Sequence, residues 1–170
     1  MATHENPKLV EAYKVMAERM QALLKEKQDQ ISVPIIHALE KAREKAVALE
    51  ELTREEAETI SAYLMRDLHD AAEFIEKNGT DFRDWLLLET ELIEDSILDL
   101  LPPLVDETRL ALDDIARKAL ELGEWHTGEI VSPGILECKQ CQHQLHITKT
   151  GHIPPCPHCH NSHFKRLNRE

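Results

Sequence analysis

The four cysteines of this chain constrain its fold more than any other feature, because they occur as two Cys-x-x-Cys pairs. Cys138 and Cys141 form the first pair, Cys156 and Cys159 form the second, and fourteen residues separate the pairs. Two residues between cysteines allow a tight turn that directs both sulfur atoms at one cation, while backbone amides of the turn can donate hydrogen bonds to the thiolates. Two such turns facing each other would supply four thiolates in a tetrahedron, so the spacing predicts a four-cysteine metal site.

Zinc, with one ion per chain, is the favoured metal, because closed tetrahedral thiolate sites are typical of structural zinc. Iron in a rubredoxin-like arrangement uses the same turn geometry and stays open as an alternative. Two structural disulfides would require an oxidising compartment, and a thioredoxin-like motif would place one Cys-x-x-Cys at the start of a helix rather than beside strands. Four protein thiolates leave no coordination position for water, which disfavours metal-assisted hydrolysis.

Six histidines near the cysteine pairs raise the question of further ligands. They are His143, His146, His152, His158, His160 and His163. Replacement ligands, a second metal site and a pH-dependent surface are the functional interpretations. We favour exposed loop and strand positions, because the cysteines already complete one coordination sphere. Hydrogen bonding to the sulfur atoms by His158 or His160 lies between these two interpretations.

The distribution of charge divides the chain into two regions. The net charge is −12, of which residues 1–123 carry −13 and residues 124–170 carry +1. We therefore predict an acidic helical region over residues 1–123 and a zinc-ribbon domain over residues 124–170. The acidic side chains are expected to form a solvated face of the helices, and they disfavour nucleic-acid binding because they repel phosphate backbones.

Apolar residues in the first region recur at intervals of three and four, the period of amphipathic helices. The pattern predicts helices over about residues 7–29, 32–50, 53–78, 80–100 and 104–122. Ser32 is expected to cap the second helix, Thr53 and Glu56 have the spacing of a capping box, and Gly123 should end the last helix. Residues 85–88 are apolar on more than one face and are expected to be the most buried segment.

The second region changes to the alternating period of short strands. Residues 125–131 and 144–147 alternate in this way, while Pro133, Gly134 and Gly151 mark turns. Six apolar residues are expected to form its small core and its seam with the helices: Trp125, Ile130, Leu136, Leu145, Ile147 and Phe164. The predicted fold is mainly α, an elongated antiparallel helical bundle or hairpin with coiled-coil character, followed by a small C-terminal β zinc ribbon with rubredoxin-like knuckles.

A ribbon of about 45 residues buries too little apolar surface to fold unaided. The metal is therefore expected to supply much of its folding free energy, about 10 kcal/mol or more. From the sequence we expect Cys138→Ala or Cys156→Ala to unfold the ribbon and to leave the helical content largely intact.

One stretch of the second region is similar to a known protein family. It begins at residues 125–129, which read Trp-His-Thr-Gly-Glu, continues through both cysteine pairs and ends on the basic residues after Phe164. It resembles the YbeL-like family of bacterial zinc-ribbon-containing proteins, which carry an aromatic-His-Ser/Thr-Gly-Glu segment before the first cysteine pair and a long helical region ahead of it. The resemblance implies that the four cysteines are zinc ligands. Because the family's function is uncharacterised, it implies no reaction.

The residue after each second cysteine departs from the general zinc-ribbon pattern. Zinc knuckles often have glycine there, where the backbone turns with positive φ, whereas this chain has Gln142 and His160. Neither residue forbids the turn, but a side chain at positive φ is expected to cause a small local strain in the backbone.

The sequence favours a non-enzymatic zinc-binding protein whose helical region contacts protein partners that the sequence does not identify. It contains no glycine-rich phosphate loop, no Gly-x-Ser-x-Gly and no His-Glu-x-x-His motif. No stretch has the length and apolar character of a membrane span, and the first residues show no apolar signal segment, so we expect a soluble cytoplasmic protein. Self-association stays open.

Two other functions remain as alternatives. In the first, the ribbon binds nucleic acid or regulates transcription, using Lys165, Arg166 and Arg169 as a small basic end, although four thiolates around one dication make the ribbon more negative. In the second, the thiolates are a redox or metal sensor whose oxidation releases the metal.

Overall fold

The computed structural model describes residues 6–26, 35–78 and 109–167. These ranges contain four helices: α1 (Pro7–Glu26), α2 (Ile35–Ala48), α3 (Arg54–Asn78) and α4 (Arg109–Leu122). They also contain six short strands: β1 (Trp125–His126), β2 (Ile130–Val131), β3 (Gly134–Cys138), β4 (Gln144–Ile147), β5 (Gly151–His152) and β6 (His163–Arg166). Helices followed by a small β region confirm the coarse fold prediction. The cap predicted at Ser32, the helix predicted over residues 80–100 and its segment 85–88 lie outside the described residues.

The helices pack through the apolar faces that their periodicity predicts. Helix α1 packs against α2 and α3, and α3 packs against α4. The buried side chains of this helical core include Tyr13, Met16, Ala17, Met20, Ile35, Leu39, Ala42, Ala46, Ala57, Ile60, Leu64, Leu68 and Ile115. No helix in the described part of the chain is long and apolar enough to cross a membrane.

Two predicted helix ends are confirmed by their hydrogen bonds. The Thr53 backbone amide donates to the Glu56 carboxylate at 2.9 Å, and the Glu56 amide donates to the Thr53 hydroxyl at 3.2 Å, which is the reciprocal pattern of a capping box. Gly123 follows α4 with a φ of 72°, and its amide donates to the Leu120 carbonyl oxygen at 3.3 Å. Both ends depend on interactions within three residues, which explains why spacing alone predicts them.

The end of α2 differs from the prediction, because the helix stops at Ala48 rather than at about residue 50. The Glu50 amide donates to the Val47 carbonyl oxygen, and the Glu51 amide donates to the Ala46 carbonyl oxygen, a Schellman motif. Glu50 adopts the left-handed conformation of this motif, with a φ of 57°. Glycine is the usual signal for this position, and without it the motif has no local signal in the sequence. Leu49, which continues the spacing of three and four residues between the apolar residues of α2, is 54% exposed.

Replacing Glu50 with glycine is expected to stabilise the protein by about 1 kcal/mol, because glycine adopts the left-handed conformation without a clash at Cβ. Urea unfolding of the variant measures this change. The matched control is Glu44→Gly in the interior of α2, where the same substitution should lower the stability by about 1 kcal/mol. A decrease for both variants would contradict the assigned helix end.

The β region consists of two antiparallel sheets. One has four strands in the order β1-β6-β3-β4, and the other pairs β2 with β5. Residues 125–131, which alternate like short strands, form two of them: Gly128, with a φ of 90°, turns the chain so that β1 and β2 enter different sheets. Gly134 and Gly151, predicted in turns, instead begin β3 and β5.

The predicted ribbon core is divided between two clusters. Trp125, Leu136 and Phe164 are buried together in the ribbon, with Leu145 and Ile147 packed against them. Ile130, from β2, instead belongs to the helical core. The strand β2 therefore contributes to the seam between the two regions, and the division into two domains near residue 123 stays a prediction.

Candidate metal centre

The structure brings the four predicted cysteines together. Cys138 ends β3, Cys141 follows in the next turn, and Cys156 and Cys159 frame a second turn. The Sγ atoms of Cys138 and Cys159 are 3.5 Å apart, and those of Cys141 and Cys156 are 3.6 Å apart. All four sulfur atoms lie within 4.8 Å of one another. Each close pair joins one turn to the other, so the two turns meet across a shared centre.

The two turns have the same backbone hydrogen bonds. In the first, the Cys138 amide donates to the His143 carbonyl oxygen at 2.9 Å, and the Gln142 amide donates to the Cys138 carbonyl oxygen at 2.9 Å. The second turn repeats this pattern at equivalent positions. The Cys156 amide donates to the Asn161 carbonyl oxygen at 3.0 Å, and the His160 amide donates to the Cys156 carbonyl oxygen at 2.9 Å. The repeat shows that each Cys-x-x-Cys forms the same tight knuckle, as the spacing predicts.

The residue after each second cysteine adopts the predicted positive φ. Gln142 and His160 both have a φ of 60°, where glycine is the residue that meets no steric penalty. Both side chains are exposed, so they can take this conformation without a clash against the core. The knuckle geometry therefore forms at a small cost in backbone strain.

Gln142→Gly is expected to strengthen metal retention about fivefold, which corresponds to about 1 kcal/mol, because glycine relieves the left-handed strain in the folded knuckle. Competition with a chelator measures this change. Gln144→Gly, two residues further on in β4, is the matched control and should weaken retention, because glycine is unfavourable inside a strand. Weaker retention in both variants would contradict strain at Gln142.

Backbone amides surround the sulfur atoms, as expected for thiolate ligands. Burial raises the pKa of the Cys156 thiol, but hydrogen bonds from the backbone amides of Cys159 and His158 and from neighbouring thiols outweigh burial and lower this pKa to about 6. The Asn161 amide lowers the pKa of Cys159, but burial and the adjacent sulfur atoms raise it to about 12. One thiolate therefore forms readily, and its negative charge disfavours ionisation of a second thiol beside it. Four thiolates can coexist there only with a cation among them.

The arrangement of donors fits zinc. Four Zn–S bonds of roughly 2.3 Å separate tetrahedral sulfur atoms by roughly 3.8 Å, which is close to the two measured pairs at 3.5 and 3.6 Å. Four thiolates are the soft donor set that zinc accepts in closed sites, and they leave no position for a water ligand. Bound there, zinc would supply structural cross-linking of the two knuckles.

None of the six nearby histidines contributes a ring nitrogen to the potential metal-binding group, which consists of the four cysteine sulfur atoms. His143 and His158 stack with ring centroids 6.0 Å apart, and His163 meets His126 edge to face at 4.7 Å. His152 bonds to the Gly128 carbonyl oxygen through Nδ1, at 2.7 Å, and accepts the Asn6 backbone amide at Nε2, at 3.1 Å. The remaining two, His146 and His160, are exposed.

The Trp-His-Thr-Gly-Glu segment at residues 125–129 attaches the ribbon to α3. The Trp125 ring lies 4.3 Å from the Arg66 guanidinium, a cation–π contact, and its Nε1–H donates to Asp70 at 3.1 Å. Arg66 also pairs with Glu129 at 2.8 Å and donates to the Glu124 carbonyl oxygen at 2.6 Å. The expectation that acidic helix residues form a solvated face is therefore wrong for Asp70. Its ribbon partners lie more than fifty residues away and give no local signal.

Comparison with known proteins agrees with this geometry. A family described as a zinc-ribbon containing domain matches residues 8–168. "Uncharacterized protein YbeL" of Escherichia coli strain K12 is 29% identical over 128 residues, which cover 75% of this chain and 79% of that protein. The proteins of the same name from the O6:H1 and O157:H7 strains match equally. No solved structure matches the chain. The chain therefore belongs to this zinc-ribbon family, whose YbeL members are uncharacterised.

Proposed function

We propose that this chain is a non-enzymatic zinc protein in which Cys138, Cys141, Cys156 and Cys159 hold one structural zinc ion. The observation that carries the proposal is the convergence of four sulfur atoms within 4.8 Å, on two knuckles of equivalent backbone geometry. Zinc in such a closed thiolate site has no open position for water, which supports a structural role rather than hydrolysis.

Elemental analysis of the full chain, purified without chelators, tests the metal site. The expected result is one zinc atom per chain and a large loss of zinc in Cys138→Ser or Cys159→Ser. Iron in place of zinc would reassign the site to iron. Well under one metal atom per chain would reject the site altogether.

The proposed role of the helical region is to contact other proteins in the cytoplasm. The four cysteines lie together in one group suited to a metal ion, and thiolate metal sites, unlike structural disulfides, are compatible with a reducing compartment. The acidic helices favour a protein partner over a nucleic acid, because nucleic acids share their charge sign. Capture of proteins from native cytoplasm with the zinc-loaded chain, and in parallel with Cys138→Ser, would identify partners and show which of them require the folded ribbon.

Within the described residues, the basic end of the ribbon offers little positive charge to a nucleic acid, and its third member, Arg169, lies outside them. The Arg166 side chain is only 10% exposed and pairs with Asp67 and Asp70. Lys165 pairs with Glu137 at 2.8 Å. Nucleic acid mixed with the chain at moderate salt should therefore show no mobility shift. Tight, salt-sensitive binding would instead favour the regulator that the sequence left open.

Redox sensing is a second candidate, and one observation favours it. Cys141 and Cys159 are only partly buried, so an oxidant can reach one sulfur atom of each knuckle. One molecule of hydrogen peroxide would take two electrons from two thiolates and, with two protons from the solvent, become two molecules of water. The two thiolates would form one disulfide and no longer bind the metal. Zinc release at low peroxide concentration supports this candidate, and retention of zinc under mild oxidation removes it.

A further inference from the structure

One carboxylate joins the ribbon to two helices. The Asp67 side chain, on α3, is 5% exposed. It accepts hydrogen bonds from the Tyr13 hydroxyl of α1, from the Ser132 backbone amide at 2.9 Å and from the Arg166 guanidinium of β6. Burial and the adjacent carboxylate hold the pKa of Tyr13 well above its usual range, so this hydroxyl keeps its proton. The contact between α1 and α3 at Asp67 therefore includes donors from the ribbon.

Arg166 supplies the positive charge that this buried carboxylate requires. Its Nε–H donates to Asp70 at 3.0 Å, and its remaining donors reach Asp67 and the Pro133 carbonyl oxygen, the latter at 3.0 Å. Gly134 provides the space, because a Cβ atom at that position would collide with the guanidinium. The guanidinium therefore holds this position only while β6 and the start of β3 keep their places.

The position of β6 depends on the cysteine knuckles. In the β3–β6 pairing, Cys138 lies opposite Phe164, two residues before Arg166. Phe164 is fully buried in the same apolar cluster as Cys138 and Cys156. The Lys139 amide of the first knuckle donates to the His163 carbonyl oxygen of β6 at 3.0 Å. Separation of the two knuckles would therefore remove the support of the strand that carries Arg166.

Loss of Arg166 from this position would leave Asp67 as a buried carboxylate without its cation. A buried charge that has lost its partner is strongly destabilising. Without the ribbon, the carboxylate can regain water or take up a proton from the side that Ser132 and Arg166 occupied, and water there competes with the Tyr13 hydroxyl at the contact between α1 and α3. Part of the cost therefore falls on the packing of α1 against α3.

We propose that the ribbon is a metal-dependent clamp on the helical region. With metal bound, Arg166 and the Ser132 amide hold Asp67 and thereby the packing of α1 against α3; without metal, this packing loosens. The inference rests on the proposed zinc site, and it adds looser packing of the helices to the sequence-based expectation that their helical content stays largely intact. The shape of the surface that α1 and α3 present to a partner would then depend on whether the ribbon holds its metal.

Hydrogen exchange of the full chain, zinc-loaded and after chelation, tests this clamp. Removal of zinc is expected to accelerate exchange about tenfold or more for the α1 amides near Tyr13 and the α3 amides near Asp67. No described residue of α2 bonds to Asp67, so the acceleration is expected to be smaller in α2 than in α1 and α3.

Two variants on β6 separate the clamp from the metal site. Zinc-loaded Arg166→Met is expected to show the fast exchange in α1 and α3 while the ribbon stays protected, and chelation should add little more in the helices. Lys165→Met, which loses one ion pair with Glu137 on the exposed side of β6, should behave as the unmodified chain. If Arg166→Met does not fold, the chelation experiment on the unmodified chain is by itself the test of the clamp.

The outcomes distinguish failure of the clamp from failure of the zinc site. Ribbon amides that lose protection on chelation while α1 and α3 keep theirs would overturn the clamp and leave the zinc site intact. Chelation that changes neither the ribbon nor the helices would overturn the structural zinc site, and the clamp with it. Normal exchange in α1 and α3 of folded Arg166→Met would also overturn the clamp.

Discussion

Removal of the metal, by chelation or by Cys156→Ser, is expected to unfold the ribbon. The buried ribbon cluster has seven members, and two of them are the cysteines Cys138 and Cys156, so little apolar surface is left to hold the strands. A structural zinc ion contributes about 10 kcal/mol or more to such a domain, which is comparable to the whole stability of a typical fold. Nuclear magnetic resonance should show loss of the dispersed amide signals of β3, β4 and β6. Zinc affinity of Cys156→Ser should fall by more than about a hundredfold.

His158→Gln is the matched control for this prediction. His158 lies between the two cysteines of the second knuckle, but its side chain is exposed and stacks on His143. The variant is expected to retain zinc and all ribbon signals. Zinc loss as large as that of Cys156→Ser would make His158 a ligand, and ribbon signals that persist without metal would show that the apolar cluster suffices.

The parts of the structure that the sequence predicted depend on local interactions. The knuckles, the positive φ of Gln142 and His160, and the capping box of Thr53 and Glu56 are each closed by hydrogen bonds within five residues. A residue type at a fixed spacing is enough to determine such contacts. For the same reason the sequence could name all four cysteines of the candidate site.

The parts that the sequence missed depend on partners far along the chain. Asp67 and Arg166 are 99 residues apart, and on α3 an aspartate at this position looks like one more polar residue of a solvated face. Helical periodicity reports which face is apolar, but it does not report that a polar side chain is buried against a distant ion. Glu50 is a case at shorter range that the sequence pattern also missed. It adopts the left-handed conformation at the end of α2, where glycine is the usual residue.

Asp67→Leu is expected to destabilise the zinc-loaded protein by about 3–5 kcal/mol, although leucine has a similar size. The substitution leaves the buried Arg166 guanidinium with one carboxylate instead of two, and it leaves the Ser132 amide and the Tyr13 hydroxyl without their acceptor. Tyr13→Phe removes only one of these hydrogen bonds and should cost about 1.5–3 kcal/mol. Urea unfolding of zinc-saturated samples measures both values.

The origin of this cost can be tested with a second substitution and a control. Asp67→Leu combined with Arg166→Met removes the carboxylate and the guanidinium together, so the double variant should be more stable than Asp67→Leu alone. Asp113→Leu, at an exposed position of α4, should change the stability by less than about 0.5 kcal/mol. A double variant that is less stable than Asp67→Leu would mean that Arg166 stabilises the protein through Asp70 and its carbonyl contacts even without Asp67. In that case the ion pair with Asp67 would not be the main attachment of the ribbon to α3.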